Sequence, residues 1–442
     1  SLAIGGLLLT LLFFGLYVGV IRLLRLLERP PLRRIVVVLL ALWALPLVYV
    51  VRDAPPLRDG VTWDSLPVPA KDAEESYACL RQVIDPGTLP ISEPSAFWCD
   101  AETNPLARAE DIERAWAAVQ PSWADLVRLN TFESIADLTR LPSPFAPEAF
   151  PLIQYHDWSH LVVLSCAYAS VKSSHGRPEE AAQMLGTLHS VICKTLPYTR
   201  TLILKMYLLS SDGWIITTAH DVATNATCTE EARRVLLDAF PPLSREEVLL
   251  QTVLTVQWLE ARATLEEHVP RVGLLKALKA DVMPYDYELF MRCPPPPDEA
   301  WEHGLSRLLT FLVYHPNRTV REVSEYYGLA INGAGKQPPD MSGAEAWGQR
   351  PAQRPLRNSG GWFLSMAQTP IYSKAVASAC RIKVRSDLLA MELARLNGKE
   401  LELPDYFTGG KFLVDEATGE LYSAGPDKLS GKVEYLDTYM GF

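Results

Sequence analysis

The sequence predicts a mainly α-helical, membrane-anchored protein built from several units. Three observations carry this: two long uncharged apolar runs near the start, apolar residues recurring every three or four positions from 151 onward, and one short alternating stretch near the end. The expected parts are a transmembrane helical hairpin at 1–53 and a linker with short helices at 54–150. An irregular helical-hairpin domain follows at 151–330, then a Gly/Pro-rich loop at 331–360. A long helix with a small β-hairpin unit closes the chain at 361–442.

The first part rests on length and charge. Leu2 to Ile21 is a twenty-residue run without a charge, and Ile35 to Val51 is a second of seventeen, interrupted only by Pro46. At about 1.5 Å per residue each run approaches a hydrocarbon core of roughly 30 Å, and proline is tolerated in such a helix. Arg22, Arg25, Arg29, Arg33 and Arg34 fill the loop between them. Basic short loops stay in the cytoplasm, so residues 54–442 are expected on the outer side, facing a bacterial periplasm.

Residues 1–53 hold six arginines against two acids, leaving 36 basic and 50 acidic residues, a net −14, beyond them. Such a surface repels phosphate backbones and excludes nucleic acid as a partner. With 48% hydrophobic and 21% charged residues, the composition is that of a folded chain. The partners expected are the lipid bilayer and other envelope proteins.

An outer compartment permits disulfides. Cys79 and Cys99 flank the loop "DPGTLPISEPS" and form the first candidate bridge, with Cys228 and Cys293, both in loops, as a second. Cys166, Cys193 and Cys380 lie in apolar helical patterns and read as core thiols. No CxxC spacing supports a cysteine metal site.

Residues 53–70 read as a proline-punctuated linker. Short helices are expected at "DIERAWAAVQ" and again from Pro121, with Ser122 beside it as a start signal. From 151 to 282 helical patterns follow one another with short connections, which implies antiparallel neighbours. The turn "HGRPEEAAQML" stops one helix at Gly176 and starts the next at Pro178, with two acids in its first turn. Its form is similar to tetratricopeptide hairpins, although the echo at "CTEEARRVL" comes 51 residues later, not at that family's period.

At the C-terminus, Asp405-Tyr406-Phe407-Thr408-Gly409 leads an alternating stretch that Leu421-Tyr422-Ser423-Ala424-Gly425-Pro426-Asp427 closes. This resembles the tail of type II secretion major pseudopilins and of membrane-anchored helical proteins from bacteria. In those an Asp-Pro-Phe-x-Gly segment leads a strand and Leu-Tyr-Ser-x-Gly-x-Asp ends it. Tyr406 stands in place of the usual proline. The resemblance covers about 70 residues and implies a β-hairpin on a long helix at about 366–397, with no catalytic role. Alternation along the closing strand separates Tyr422 from Leu421 and Ser423, and Tyr422 is expected to be the buried anchor.

The candidate chemistry is a set of histidines. His156 and His160, in "IQYHDWSH", share a helical face at i and i+4 and can jointly hold a metal. The string is superficially similar to the first histidine motif of cyclic-nucleotide phosphodiesterases, and His220-Asp221 supplies a later His-Asp pair. The His-Asp-x-Asp-His continuation that a two-metal site needs does not follow. The alternative is that both histidines hydrogen-bond at a helix start beside Leu152, Val163 and Leu164. "NGAGKQ" fails as a phosphate loop, with Ala330 and Gln337 where Gly and Ser/Thr are required. The reading is therefore a non-enzymatic anchored scaffold with no cofactor, and the rival is a metal-dependent hydrolase using His156, His160, His220 and Asp221.

Overall fold

A computed structural model describes residues 54–69, 71–84, 95–138, 155–268, 314–348, 372–414 and 421–425. The expected transmembrane hairpin at 1–53, the proline run after Cys293 and the final residues with Asp427 lie outside these. Among the described residues the architecture is mainly helical, and no helix is long and apolar enough to cross a membrane.

Three helices open the body: α1 (Ala73–Ile84), α2 (Ser95–Thr103) and α3 (Ala109–Leu129). The two short helices expected around Pro121 are one, because α3 runs through that proline. Ile112, Trp116, Val119, Leu126 and Leu129 form one buried stripe across it. That continuous apolar face outweighs the single helix hydrogen bond a proline removes.

A four-helix run follows: α4 (Tyr155–Ser174), α5 (Pro178–Thr195), α6 (Leu202–Thr224) and α7 (Glu230–Ala239). Gly176 ends α4 with φ +76°, its N–H donating to the Ser173 carbonyl at 3.1 Å while Arg177 N–H donates to Lys172 at 3.0 Å. This is the Schellman arrangement, which satisfies two of the last helix carbonyls and lets the chain reverse within three residues. Thr201 caps α6 by accepting from Leu204 N–H, and Thr229 caps α7 by accepting from Ala232 N–H. Helix α5 packs on α4, α6 and α7, and α3 packs on α4. A β-carbon on Gly186 of α5 would lie 2.7 Å from Ala239 of α7, so glycine sets how closely those two helices approach.

After α7 the helical pattern from Ser244 onward is interrupted. A single turn, α8 (Arg245–Val248), stops at Leu249, and α9 (Gln251–Ala263) then runs into a π-helical turn at Thr264–His268. Helix α10 (Pro316–Ala334) packs on α9, and α11 (Ser342–Gly348) packs on α10. Part of the expected 331–360 loop is therefore helical, with Ala344 and Trp347 of α11 buried. Helix α12 (Ser373–Leu396) lies on α6 and α7 and joins the two groups into one continuous core.

Strands β1 (Leu413–Val414) and β2 (Leu421–Tyr422) pair antiparallel, Leu413 opposite Tyr422. The buried anchors of this tail are Tyr406, Phe407, Phe412 and Ser423, whereas Tyr422 is only half-buried. Alternation does divide the strand as expected, but Leu421 and Ser423 face inward. The reason is Asp405, fully buried, which draws Ser423 to it. Its carboxylate accepts from Phe407 N–H, Thr408 Oγ1 and Ser423 Oγ, all at 3.0 Å. Gly425 N–H donates in turn to Ser423 Oγ at 3.1 Å.

Residues 54–66 are not a free linker. Asp59 accepts from Trp258 Nε1 at 3.1 Å and Arg262 Nη1 at 2.9 Å, while Arg262 Nη2 donates to the Leu57 carbonyl. Leu66 is buried with Val256 and Leu259, under Val61 and Trp63. Arg321 of α10 donates twice to the Pro55 carbonyl, at 3.0 and 3.1 Å. The segment is strapped across α9 and α10.

Candidate functional site

Among the described residues, His160 does not meet His220 and Asp221. His160 stacks on Trp98, ring centroids 3.9 Å apart and planes 9° apart, so it packs α4 against α2. His220 lies beside its own neighbour, Nδ1 3.7 Å from Asp221 Oδ1, with Asp221 open to solvent. Trp158 of α4 donates from Nε1 to Ser211 Oγ of α6 at 2.9 Å, which fixes the register of the two helices. His220 is nine residues beyond Ser211, about 13 Å further along α6 at 1.5 Å per residue, well outside a shared coordination sphere with His160. The side chain of His156 lies outside the described residues. Among the described residues no three His, Cys, Asp or Glu side chains gather as a metal group.

One cysteine of each candidate bridge is described. Cys79 and Cys228 are both free thiols in this structure. Cys79 is buried on α1 with its Sγ 3.8 Å from the Asp125 carbonyl, and burial raises its pKa. The thiol lies in the α1–α3 packing. The side chains of Cys99 and Cys293 lie outside the described residues.

The body instead concentrates its chemistry in a polar centre between α5 and α6. His189 Nδ1 lies 2.6 Å from Asp212 Oδ1, with both side chains buried. Cys193, one turn on from His189, places Sγ 3.4 Å from His189 Nε2. Phe240 stacks on the imidazole, centroids 4.5 Å apart. Burial alone would push the His189 pKa down, but the Asp212 carboxylate and the Pro241 carbonyl outweigh it and the net shift is upward. The two side chains form a short polar tie between α5 and α6.

A Cys–His–Asp series has the order of a nucleophilic triad, so the state of the thiol decides what it can do. Burial holds the Cys193 pKa well above the ordinary value, with the Asp212 and Glu247 carboxylates adding to the shift. A thiolate is the nucleophile, and this environment suppresses it. The arrangement therefore ties α5 to α6. Other ties repeat the pattern nearby. Lys205 of α6 donates from Nζ to the Leu196 carbonyl at 2.6 Å, and its burial brings its pKa down to about 7. Asp137, buried, accepts from Arg200 N–H at 2.8 Å.

Sequence reasoning passed over this centre, although a signal was present. Asp212 is the lone acid in "TLILKMYLLSSDGWIITT", and an acid in so apolar a helix must be paired when the helix is buried. Its partner sits in "LGTLHSVIC", a histidine on an equally apolar face.

A second cluster lies at α9 and α10. The Tyr372 hydroxyl is 3.1 Å from that of Tyr327 and donates to Gln257. Glu260 is close by, its Oε1 buried without a hydrogen-bond partner among the described residues, and burial raises its pKa to about 8. At neutral pH that carboxyl is held largely as the acid.

Comparison with known proteins adds no likeness: no family model, no curated protein and no solved structure matches this chain.

Proposed function

We propose that the chain is a non-enzymatic, membrane-anchored scaffold or accessory subunit that binds other envelope proteins on the periplasmic side of a bacterial inner membrane. The observation that carries this reading is the use to which the buried polar groups are put. His189 with Asp212, Lys205 with the Leu196 carbonyl, and Asp137 with Arg200 each close a tie between neighbouring elements. A body stiffened in this way presents a fixed surface to partners, which is what a scaffold requires. The apolar runs at 2–21 and 35–51 supply the anchor, and the Arg-rich loop between them sets the orientation. The hairpins of α4 to α7 would then act as tetratricopeptide-type units do, offering side-by-side helices to extended partners.

Crosslinking in native membranes through photoreactive residues at Val127 and Ile203 tests the reading, since both are exposed apolar side chains on this body. One or a few envelope proteins should be captured, and Ile203→Glu should abolish capture there while leaving unfolding unchanged. Capture that is spread over abundant proteins and indifferent to Ile203→Glu would reject it. Metal analysis of the purified chain separates the hydrolase rival: a bound transition metal lost on His160→Ala would favour that reading.

A further inference from the structure

We propose that the strap at residues 54–66 holds the α9–α10 face of the body against the bilayer surface, with Arg321 at the phospholipid headgroup phosphates. This rests on the membrane anchor proposed above and specifies which face of the body it brings to the lipid. The argument is one of reach. The second apolar run ends at Val51, and the Pro55 carbonyl is already gripped by Arg321. Four residues separate the two points, and a fully extended chain covers about 3.3–3.6 Å per residue, so at most roughly 14 Å. The headgroup layer on each side of a bilayer is about 5–8 Å thick. Even fully stretched, the connection leaves Arg321 within about one Debye length of that layer at physiological salt. Shorter extensions bring it closer, and inside the layer once the span falls below about 5–8 Å.

The strap has little freedom to relax this limit. Pro55 and Pro56 stiffen its start. Asp59 is locked by Trp258 and Arg262, and Leu66 is buried with Val256 and Leu259. Arg321 itself is exposed, on the N-terminal half of α10 with Asn317 and Arg318. Two of the five N–H groups of its guanidinium serve Pro55, and the planar fork matches a phosphate diester. Without the strap, the −14 charge of the chain beyond residue 53 would favour standing away from an anionic surface. The strap therefore tethers the body to the surface at Arg321 against that repulsion.

The test uses the full chain in vesicles of phosphatidylethanolamine and phosphatidylglycerol, a fraction of which carries a photoreactive diazirine on the headgroup. After photolysis and peptide mapping, adducts on 54–58 and 316–325 should exceed those on 230–239 several-fold. Asp59→Ala should bring the 316–325 adducts down to the level of 230–239 while the chain still floats with vesicles after an alkaline wash. Arg321→Gln should lower them in part. Failure to float would overturn the anchor and this inference together. Retained flotation with adducts spread evenly over the body, or unmoved by Asp59→Ala, would overturn the inference alone.

Discussion

The helical body and the C-terminal tail each bury one carboxylate, and they accommodate it by different means. Asp212 is 0% exposed and Asp405 is 1% exposed. Asp212 meets a single titratable partner, the His189 imidazole of the neighbouring helix, and its Oδ2 has no hydrogen-bond partner among the described residues. The oxygens of Asp405 are served by neutral groups, donated by Phe407, Thr408 and Ser423. The first solution couples two long helices through one contact and fails as a whole when either partner is lost. The second divides the load among three donors within 18 residues of chain, so its failure stays local.

The largest effect should therefore come from Asp212. Asp212→Ala leaves His189 buried without its partner carboxylate, and breaking a buried pair typically costs about 3–5 kcal/mol. Urea unfolding should show a single transition displaced by that amount, since α5 and α6 lie at the centre of the core. A β-carbon on the neighbouring Gly213 would lie 2.9 Å from Ile382 of α12, so the helix cannot shift to open the site to water. Asp212→Asn keeps an acceptor for Nδ1 and should cost less. Equal cost for the two variants would show that the charge, and not the hydrogen bond, holds the helices.

Glu260 is a third buried carboxyl with neither solution, and pH exposes the difference. Its folded pKa of about 8 stands above the ordinary 4.5, so the folded protein binds the proton more tightly. Stability from this group is complete below the ordinary value and is lost as pH rises through the folded one. Relative to wild type, Glu260→Gln should gain stability between pH 5 and 9, on the order of 2–3 kcal/mol once partial exposure is discounted. The comparison must be made between variant and wild type. Lys205, lowered to about 7, contributes with the opposite sign, gaining stability as pH rises above that value. Parallel pH profiles for variant and wild type would mean that Glu260 titrates as an exposed carboxylate.

Asp405→Ala should cost about 1–3 kcal/mol, the penalty for leaving buried donors unmatched. Limited proteolysis should then cut the tail between 405 and 425 while the α4–α7 fragment survives. A global loss of protection would mean that the tail is part of the same cooperative unit as the body.

The two carboxylates also differ in how readable they are. Every partner of Asp405 lies within its own local motif, and the spacing of Asp405, Phe407, Gly409, Ser423 and Gly425 announces a turn and a strand from residue order alone. Asp212 pairs across 23 residues with a histidine on another helix, and periodicity records only that each sits on an apolar face. Helix boundaries are legible where a cap is local, as at Gly176 and Pro178, and not where packing overrides it, as at Pro121. The strap shows the same limit. "DAPPLRDG" has the composition of a linker, and only the placement of Trp258, Arg262 and Arg321 makes it a fixed element. The histidines drew attention because i,i+4 spacing is conspicuous in a sequence, whereas the ring that His160 stacks on, Trp98, is supplied by α2.

The smallest effect is expected at Tyr422, the residue that strand alternation singles out. Two faces were available on β2, and an aromatic ring gains more from burial than a serine does, so burial of the ring looks favourable on area alone. The polar groups reverse the choice. Asp405 needs a third donor inside the tail, Ser423 supplies it, and an unmatched buried carboxylate costs more than a half-exposed tyrosine loses. Tyr406, Phe407 and Phe412 then provide the apolar anchoring, with Lys383 of α12 6.0 Å from the centre of the Tyr406 ring. Tyr422→Ala should consequently cost less than about 1 kcal/mol, as for a surface position. Tyr406→Ala removes a buried aromatic ring and should cost about 3–5 kcal/mol. Tail cleavage rates measured side by side decide it: a Tyr422→Ala tail cut as readily as the Tyr406→Ala tail would mean that the outer ring, and not the Asp405–Ser423 clamp, holds the strand in place.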